Sequence, residues 1–185
     1  MLHDLINIVK ACKKGDQKSQ KLLYDIFSPR LYGLCLRYTN NEHEAKDLLQ
    51  ESFIKIFDKL KQFKNQGSLE GWMKRIIINT AMENFRKGSN VLLYHSDAHI
   101  ENVQLRYEHV LEELNSKDLL QMVQSLSPQY RAVFNLYAIE GYNHQEIACM
   151  LGISEGTSKS NLSRAREMLK KKINQEVNIK FTQVI

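Results

Sequence analysis

Residues 126–169 read LSPQYRAVFNLYAIEGYNHQEIACMLGISEGTSKSNLSRAREML, and this stretch decides the fold. Ser127 and Pro128 have the order of a cap and a first helical residue, and Gly141 marks a stop. Asn143 and Glu146 stand at capping-box spacing, so a second helix opens there, with Ile147, Ala148 and Leu151 facing inward and Gly152 ending it. Ser154 then caps a third helix that carries a dense cationic run. A short helix, a Gly-containing turn and a second helix form the unit that sets one helix in the major groove of duplex DNA.

The face of that third helix follows from the helical repeat. Ser158, Leu162, Ala165 and Leu169 cluster on one side, which must meet the core. Ser160, Ser163, Arg164, Glu167 and Lys171 lie opposite, flanked by Lys159 and Lys170. Arg and Lys donate to guanine edges or phosphate, and Ser donates or accepts at base edges. Lys159, Ser160, Ser163 and Arg164 are therefore the base-edge candidates, and Thr157, Arg166, Lys170 and Lys171 the phosphate candidates. A charge run is ordinarily just a solvated face. Here the caps, the glycine turn and the opposed apolar stripe agree on DNA binding.

Working outward, the charge is uneven. Residues 1–88 carry 16 basic against 10 acidic residues, residues 89–116 carry 1 against 5, and residues 117–185 carry 9 against 6. Two basic blocks flank an acidic segment, a pattern that suits two nucleic-acid-binding modules and a linker and is equally consistent with ordinary surface charge. GSNVLLYHSDAHIEN, residues 88–102, breaks helical spacing, so domains are expected at 1–88 and 117–185 with a linker at 89–116. No apolar run is long enough for a membrane span, and the first residues lack the pattern of a signal peptide, which leads to the expectation of a cytoplasmic protein. Cys12, Cys35 and Cys149 form no CxxC pair and are expected to be buried, inert thiols. His95, His99 and His109 have no ligand spacing, so neither a metal nor a cofactor is expected.

The spacing before residue 88 predicts helices over 2–13, 16–27, from Pro29 to about 38, 42–62 and 68–87, with another over 105–124 after it. The class is all-α. In the helix over 42–62, Leu48, Leu49, Phe53, Ile56, Phe57 and Leu60 form one broad stripe. In the next, Ile77, Ile78, Ala81 and Phe85 should be core, with Trp72, Arg75, Ile76, Asn79, Glu83 and Arg86 on the other face. That face joins an aromatic ring to an amide and two arginines. Rings stack on bases, amides bond base edges and cations hold phosphate, so it suits a single strand. A core role for Trp72 is equally consistent with its place at a helix start. The preceding loop, with Phe63, Lys64, Asn65, Gln66, Gly67 and Ser68, suits a pocket for an extruded base.

The 126–169 segment resembles region 4 of RNA polymerase sigma factors, in particular the small extracytoplasmic-function (ECF) group, through its EIA, LGIS, GT and RAR elements. The resemblance implies recognition of the −35 promoter element. Ser158 departs from it by replacing an aliphatic residue at a core-facing position, and Asn161 by replacing an arginine. An unpaired hydroxyl at 158 would cost about 1–3 kcal/mol unless it bonds a carbonyl one turn back. LLYDIFSPRLYGLCLRYTNNEHEAKDLLQESFIKIFDKL, residues 22–60, is similar to the first part of sigma region 2. By that similarity Asp47, Leu48, Gln50, Glu51 and Ile54 are the candidates for docking on the β′ clamp helices of core RNA polymerase, with the β subunit a further partner. FKNQGSLEGWMKRIIINTAMENFRKG, residues 63–88, is similar to the −10 reader. The resemblance implies that Phe63, Lys64, Asn65, Ser68, Trp72, Arg75, Asn79, Glu83 and Arg86 meet the −10 element, with Asn79 and the loop holding a flipped base of the non-template strand. The 185 residues hold no counterpart of the long acidic region or third domain of housekeeping sigma factors. An anti-sigma factor is a further candidate partner by resemblance, with residues 89–116 as one contact; the sequence identifies none.

Two rival classes remain at the level of sequence. A one-component regulator would bind duplex DNA without polymerase, but has no reason to carry the loop and helix at 63–86. An enzyme would need a phosphate loop, a metal cluster or a nucleophile–base motif, and none is legible.

Overall fold

The computed structural model describes residues 2–64, 67–89 and 116–182. Among these the chain is all-α, with no strand. It divides into two compact units, Met1–Asn84 and Phe85–Ile185.

In the first unit, α1 (Leu2–Lys13) leads into α2 (Gln17–Tyr38), α3 (Glu42–Lys59), a 3-10 turn (Leu60–Gln62) and α4 (Leu69–Ser89), whose last residues run past the boundary at Asn84. Asp16 caps α2 as expected, its Oδ2 accepting from the Ser19 amide at 2.8 Å. Asn41 does the same for α3, with the Glu44 amide at 2.9 Å. The break expected at Ser28-Pro29 does not occur. Pro29 lies inside α2, which runs through to Tyr38. Proline costs a helix one backbone bond. Here it is exposed, while Leu23, Phe27, Leu31, Leu34 and Cys35 on the same helix are buried. One apolar stripe on both sides of Pro29 holds the two halves in line, and water can serve the carbonyl left without its amide.

Leu48, Leu49, Phe53 and Ile56 of α3 are buried, α3 packs on α2, and Tyr24 of α2 lies on Phe53 with ring centroids 4.6 Å apart. On α4 the buried set is Leu69, Met73, Ile76, Ile77, Ile78, Ala81 and Met82, with Thr80. Ile76 is thus core rather than outward-facing: it sits one turn from both Met73 and Thr80, and the stripe is wider than the sequence suggested. Phe85 is half-buried rather than core.

Polar ties fix α4 against its neighbours. Lys55 on α3 reaches Glu51 at 2.9 Å and Glu83 on α4 at 2.8 Å. Burial pulls its ammonium downward, but hydrogen bonds to Glu83 and Glu51 outweigh that and leave its pKa raised. Asn84 donates to Glu51 at 2.8 Å. At the other end of α4, Glu70 pairs with Lys74 at 3.1 Å and with Arg30 of α2 at 3.2 Å.

In the second unit, α5 (Ser116–Gln124), α6 (Pro128–Phe134), a π turn (Asn135–Ile139), α7 (His144–Leu151) and α8 (Glu155–Thr182) follow in order. Met122, Leu126, Ala165 and Leu169 form a core that joins α5 to α8, packed by Tyr130, Phe134 and Ile173. The helix expected over 105–124 is described only from Ser116; its first part, with Leu111 and Leu114, and most of the expected linker lie outside the described residues. Cys12 and Cys35 are buried, and burial pushes the Cys35 thiol up to about 12. Cys149 is exposed, contrary to expectation, because it lies on the outer side of α7 from Ile147 and Leu151.

Hydrogen bonding from Lys74, opposed by some burial and aided by Arg30, holds the Glu70 carboxyl below its ordinary value of 4.5. Its contribution to stability is therefore present above that value and lost as pH falls through the lowered folded-state pKa. Glu70→Gln should unfold at lower urea concentration than the parent at pH 7. The difference should shrink as the pH is taken well below 4.5; a gap that persists unchanged in acid would contradict the pairing.

Candidate nucleic-acid interface

The helix-turn-helix is built from its caps. Ser127 occupies the first cap position, but its side chain makes no cap bond; its carbonyl accepts from the Arg131 amide at 2.9 Å, and Pro128 sets the first helical residue. The end of α6 widens into a π turn, where Glu140 N–H donates to Asn135 O at 3.0 Å and Tyr142 N–H to Leu136 O at 2.9 Å. Gly141, at φ +78°, closes it. The α7 capping box is complete: the Glu146 amide donates to Asn143 Oδ1 at 2.9 Å and the Asn143 amide to Glu146 Oε2 at 2.8 Å. Gly152, at φ +69°, ends α7. Ser154 Oγ then accepts from the Thr157 amide at 3.0 Å and starts α8.

The predicted division of α8 holds at most positions. Ser158, Leu162, Ala165 and Leu169 are buried, while Thr157, Lys159, Ser160, Ser163, Arg166 and Lys171 are exposed. Arg164 and Glu167, expected on the outward face, are half-buried instead, as is the flanking Lys170. Arg164 Nη1 lies 3.5 Å from the Tyr130 hydroxyl, and Arg166 lies 5.6 Å from the centre of the Tyr137 ring. Tyr130 of α6 and Tyr137 of the π turn thus stand beside cations on α8. Lys171 pairs with Glu167 at 3.3 Å and Lys159 with Glu155 at 4.0 Å, surface pairs that are worth little and are easily exchanged for phosphate. Asn161 is buried at the margin of the core stripe.

Ser158 is fully buried and finds its partner across the turn rather than one turn back: its Oγ lies 2.9 Å from His144 Nδ1. Either group can be the donor, according to the imidazole tautomer. His144 also stacks on Tyr137, with centroids 4.6 Å apart and planes 23° apart. Sequence reasoning missed this pairing because the two partners stand 14 positions apart in the chain. The only clue was the hydroxyl at a core-facing position.

In the first unit, the loop and α4 come together as expected in part. Lys64, Ser68, Arg75, Asn79 and Arg86 are exposed, and Ser68 Oγ accepts from the Gly71 amide at 3.3 Å at the start of α4. Asn65 and Gln66 lie outside the described residues. Phe63 is buried rather than open to a base: its ring lies 5.3 Å from that of half-buried Trp72, and Lys13 of α1 donates to its carbonyl at 2.7 Å. Phe63 therefore anchors the loop. Glu83 is half-buried and held by Lys55. Lys13 was not foreseen, since 50 residues separate it from Phe63. Lys55 was within reach, four positions after Glu51 on one helix.

On α3, Asp47 and Gln50 are exposed, and Ile54 is 63% exposed, unusual for an isoleucine with no cover. Glu51 is half-buried within the Lys55 network, and Leu48 is buried, so it lies beneath this face rather than on it. His43 lies 3.0 Å from Asp47. Among the described residues no group of acidic, histidine or cysteine side chains could hold a metal, and no helix is long and apolar enough to cross a membrane.

Two family models match the chain. Residues 23–91 match the family Sigma-70 region 2, and residues 116–169 match Sigma-70, region 4. The chain is 31% identical over 177 residues to the ECF RNA polymerase sigma factor SigW of Bacillus subtilis, covering 89% of this chain and 94% of that one. It is 29% identical over 178 residues to the ECF RNA polymerase sigma-E factor of Escherichia coli K12, covering 90% of this chain and 92% of that one. Among solved structures, the sigma factor RpoE of Bartonella quintana, crystallised with the anti-sigma factor NepR, has the same fold at TM-score 0.51 and 24% identity, covering 83% of this chain and 96% of that one.

Removing the imidazole that satisfies Ser158 leaves a buried hydroxyl. His144→Leu should destabilise the second unit by about 1–3 kcal/mol, and adding Ser158→Val should restore most of it. Urea unfolding checks this; a double variant no more stable than the single would contradict the pairing.

Proposed function

The chain belongs to the ECF sigma factors of RNA polymerase, and from that premise we propose how its two units divide the work of promoter recognition. The observation that carries the reading is the face of α8, where Thr157, Lys159, Ser160 and Ser163 stand exposed over a buried stripe, behind side-chain caps at the starts of α7 and α8. In this reading Lys159, Ser160, Ser163 and Arg164 meet base edges of the −35 duplex, and Thr157, Arg166, Lys170 and Lys171 meet phosphate.

The first unit binds core polymerase through the exposed side of α3, at Asp47, Gln50 and Ile54 with Glu51 beside them. It takes the non-template strand of the −10 element on Arg75, Asn79 and Arg86, with Lys64 and Ser68 at the loop. Trp72 is half-exposed beside buried Phe63, which supports a stacking role at the rim of that surface. Melting needs no hydrolysis. A surface that binds the unstacked strand better than the duplex shifts the equilibrium toward the open state by its differential affinity. The protein is then a binding factor rather than an enzyme, acting in the cytoplasm without a cofactor. An anti-sigma factor is a further partner, as crystallised with the Bartonella quintana relative. The domain division at 1–88, 89–116 and 117–185 belongs to the same proposal. Family membership favours this reading over a one-component regulator.

Transcription in vitro with core polymerase and mapping of start sites tests the reading. The chain should confer initiation at discrete promoters that core alone does not use. Tight, sequence-specific duplex binding without polymerase and no gain in initiation would return the regulator. Asn79→Ala should lower initiation on duplex promoters far more than on templates already melted across the −10 element; equal losses would remove the base-capture role. Asp47→Arg should abolish co-purification with core polymerase while leaving thermal unfolding unchanged. An unaltered pull-down would remove that contact.

A further inference from the structure

The recognition helix is tied to the turn before it by a closed circuit of side chains. It starts on α8 at Ser158, whose buried hydroxyl lies 2.9 Å from His144 Nδ1 at the start of α7. The His144 ring stacks on Tyr137, in the π turn, at 4.6 Å and 23°. Tyr137 in turn carries the Arg166 guanidinium, 5.6 Å from its centre, and Arg166 lies on α8 again. Tyr137 is 36% exposed and Arg166 is exposed, so the last link faces solvent, while the first runs from buried Ser158 to half-buried His144.

We infer that Tyr137, backed by His144 and Ser158, is a positioning residue that presents Arg166 to promoter phosphate. A free arginine side chain has many rotamers and must give them up when it meets DNA. A ring face that attracts the guanidinium narrows that choice beforehand, so less is lost on binding. The ring can do this only if it is itself fixed. Stacking on an imidazole that is hydrogen-bonded into the core fixes it, and both ends of the circuit lie on the same helix. The π turn brings Tyr137 to this position, because its extra residue per turn rotates the chain between Leu136, which is buried, and Ile139, which is exposed. The inference rests on the reading of α8 as the DNA-binding helix.

The test uses holoenzyme assembled from core polymerase and the full chain, with a DNA fragment carrying a promoter whose start site has been mapped with the parent holoenzyme. Apparent affinity is measured over a series of salt concentrations. Arg166→Gln should weaken binding and reduce the slope of log affinity against log salt by about one. Tyr137→Leu should weaken binding by about two- to fivefold, and Tyr137→Phe, which keeps the ring, should bind like the parent. In the Arg166→Gln background, Tyr137→Leu should cost less than about twofold more, because the two changes break one interaction. Tyr137→Gln serves as a second removal if the leucine variant does not fold. If Arg166→Gln alters neither affinity nor slope, the placement of Arg166 on DNA fails. If Arg166→Gln acts but Tyr137→Leu does not, or the two losses add in full, that placement stands and the positioning role is overturned.

Discussion

The burial of one side of α8 is the constraint on which the second unit depends. Leu162 and Leu169 enter the core with Ala165, and Ser158 joins them because His144 satisfies its hydroxyl. Full burial of a leucine side chain is worth about 1.5–3 kcal/mol, whereas an exposed ion pair such as Lys159–Glu155 is worth about 1 kcal/mol or less. The apolar side therefore decides how the helix is rotated about its axis. The cations and hydroxyls go outward because nothing inside can hold them. A DNA-reading face needs that asymmetry: groups that will pair with bases and phosphates must be fixed in direction yet weakly engaged beforehand.

The first unit solves a related problem with polar ties over an apolar base. Each of its three longer helices buries a set of apolar side chains. What positions the proposed strand-binding surface is the set of cross-links at its edges. Lys13 holds the Phe63 carbonyl, Arg30 and Lys74 hold Glu70 at the start of α4, and Lys55 joins Glu51 to Glu83. The Lys55 link has a further consequence. Glu51 belongs to the proposed polymerase-binding face and Glu83 to the helix proposed to meet the −10 strand, so the two faces are one lysine apart.

Much of this was legible in the sequence because local rules sufficed. The α7 capping box, the Gly141 and Gly152 stops, the Ser154 cap and the α8 stripe all arise from residues within one or two turns of each other. Helical periodicity placed Leu49, Phe53 and Ile56 in the core for the same reason. Misreadings came where distant residues decide. Pro29 looked like a helix start, but the apolar stripe of α2 continues across it. Phe63 looked available to a base, yet Lys13 and Trp72 enclose it from other parts of the chain. Ile76 was set outward by a stripe drawn too narrowly. The serine at 158 was legible as an anomaly, but its partner was not.

The direction in which α8 points when the protein is at work is the central claim. A photoreactive amino acid placed at Ser163 of the full chain, in holoenzyme on a mapped promoter, measures it directly. Cross-linking should fall on the duplex about 35 base pairs upstream of the start site and should vanish when that element is scrambled. Cross-linking to polymerase subunits alone, or to DNA around the start site, would contradict the account.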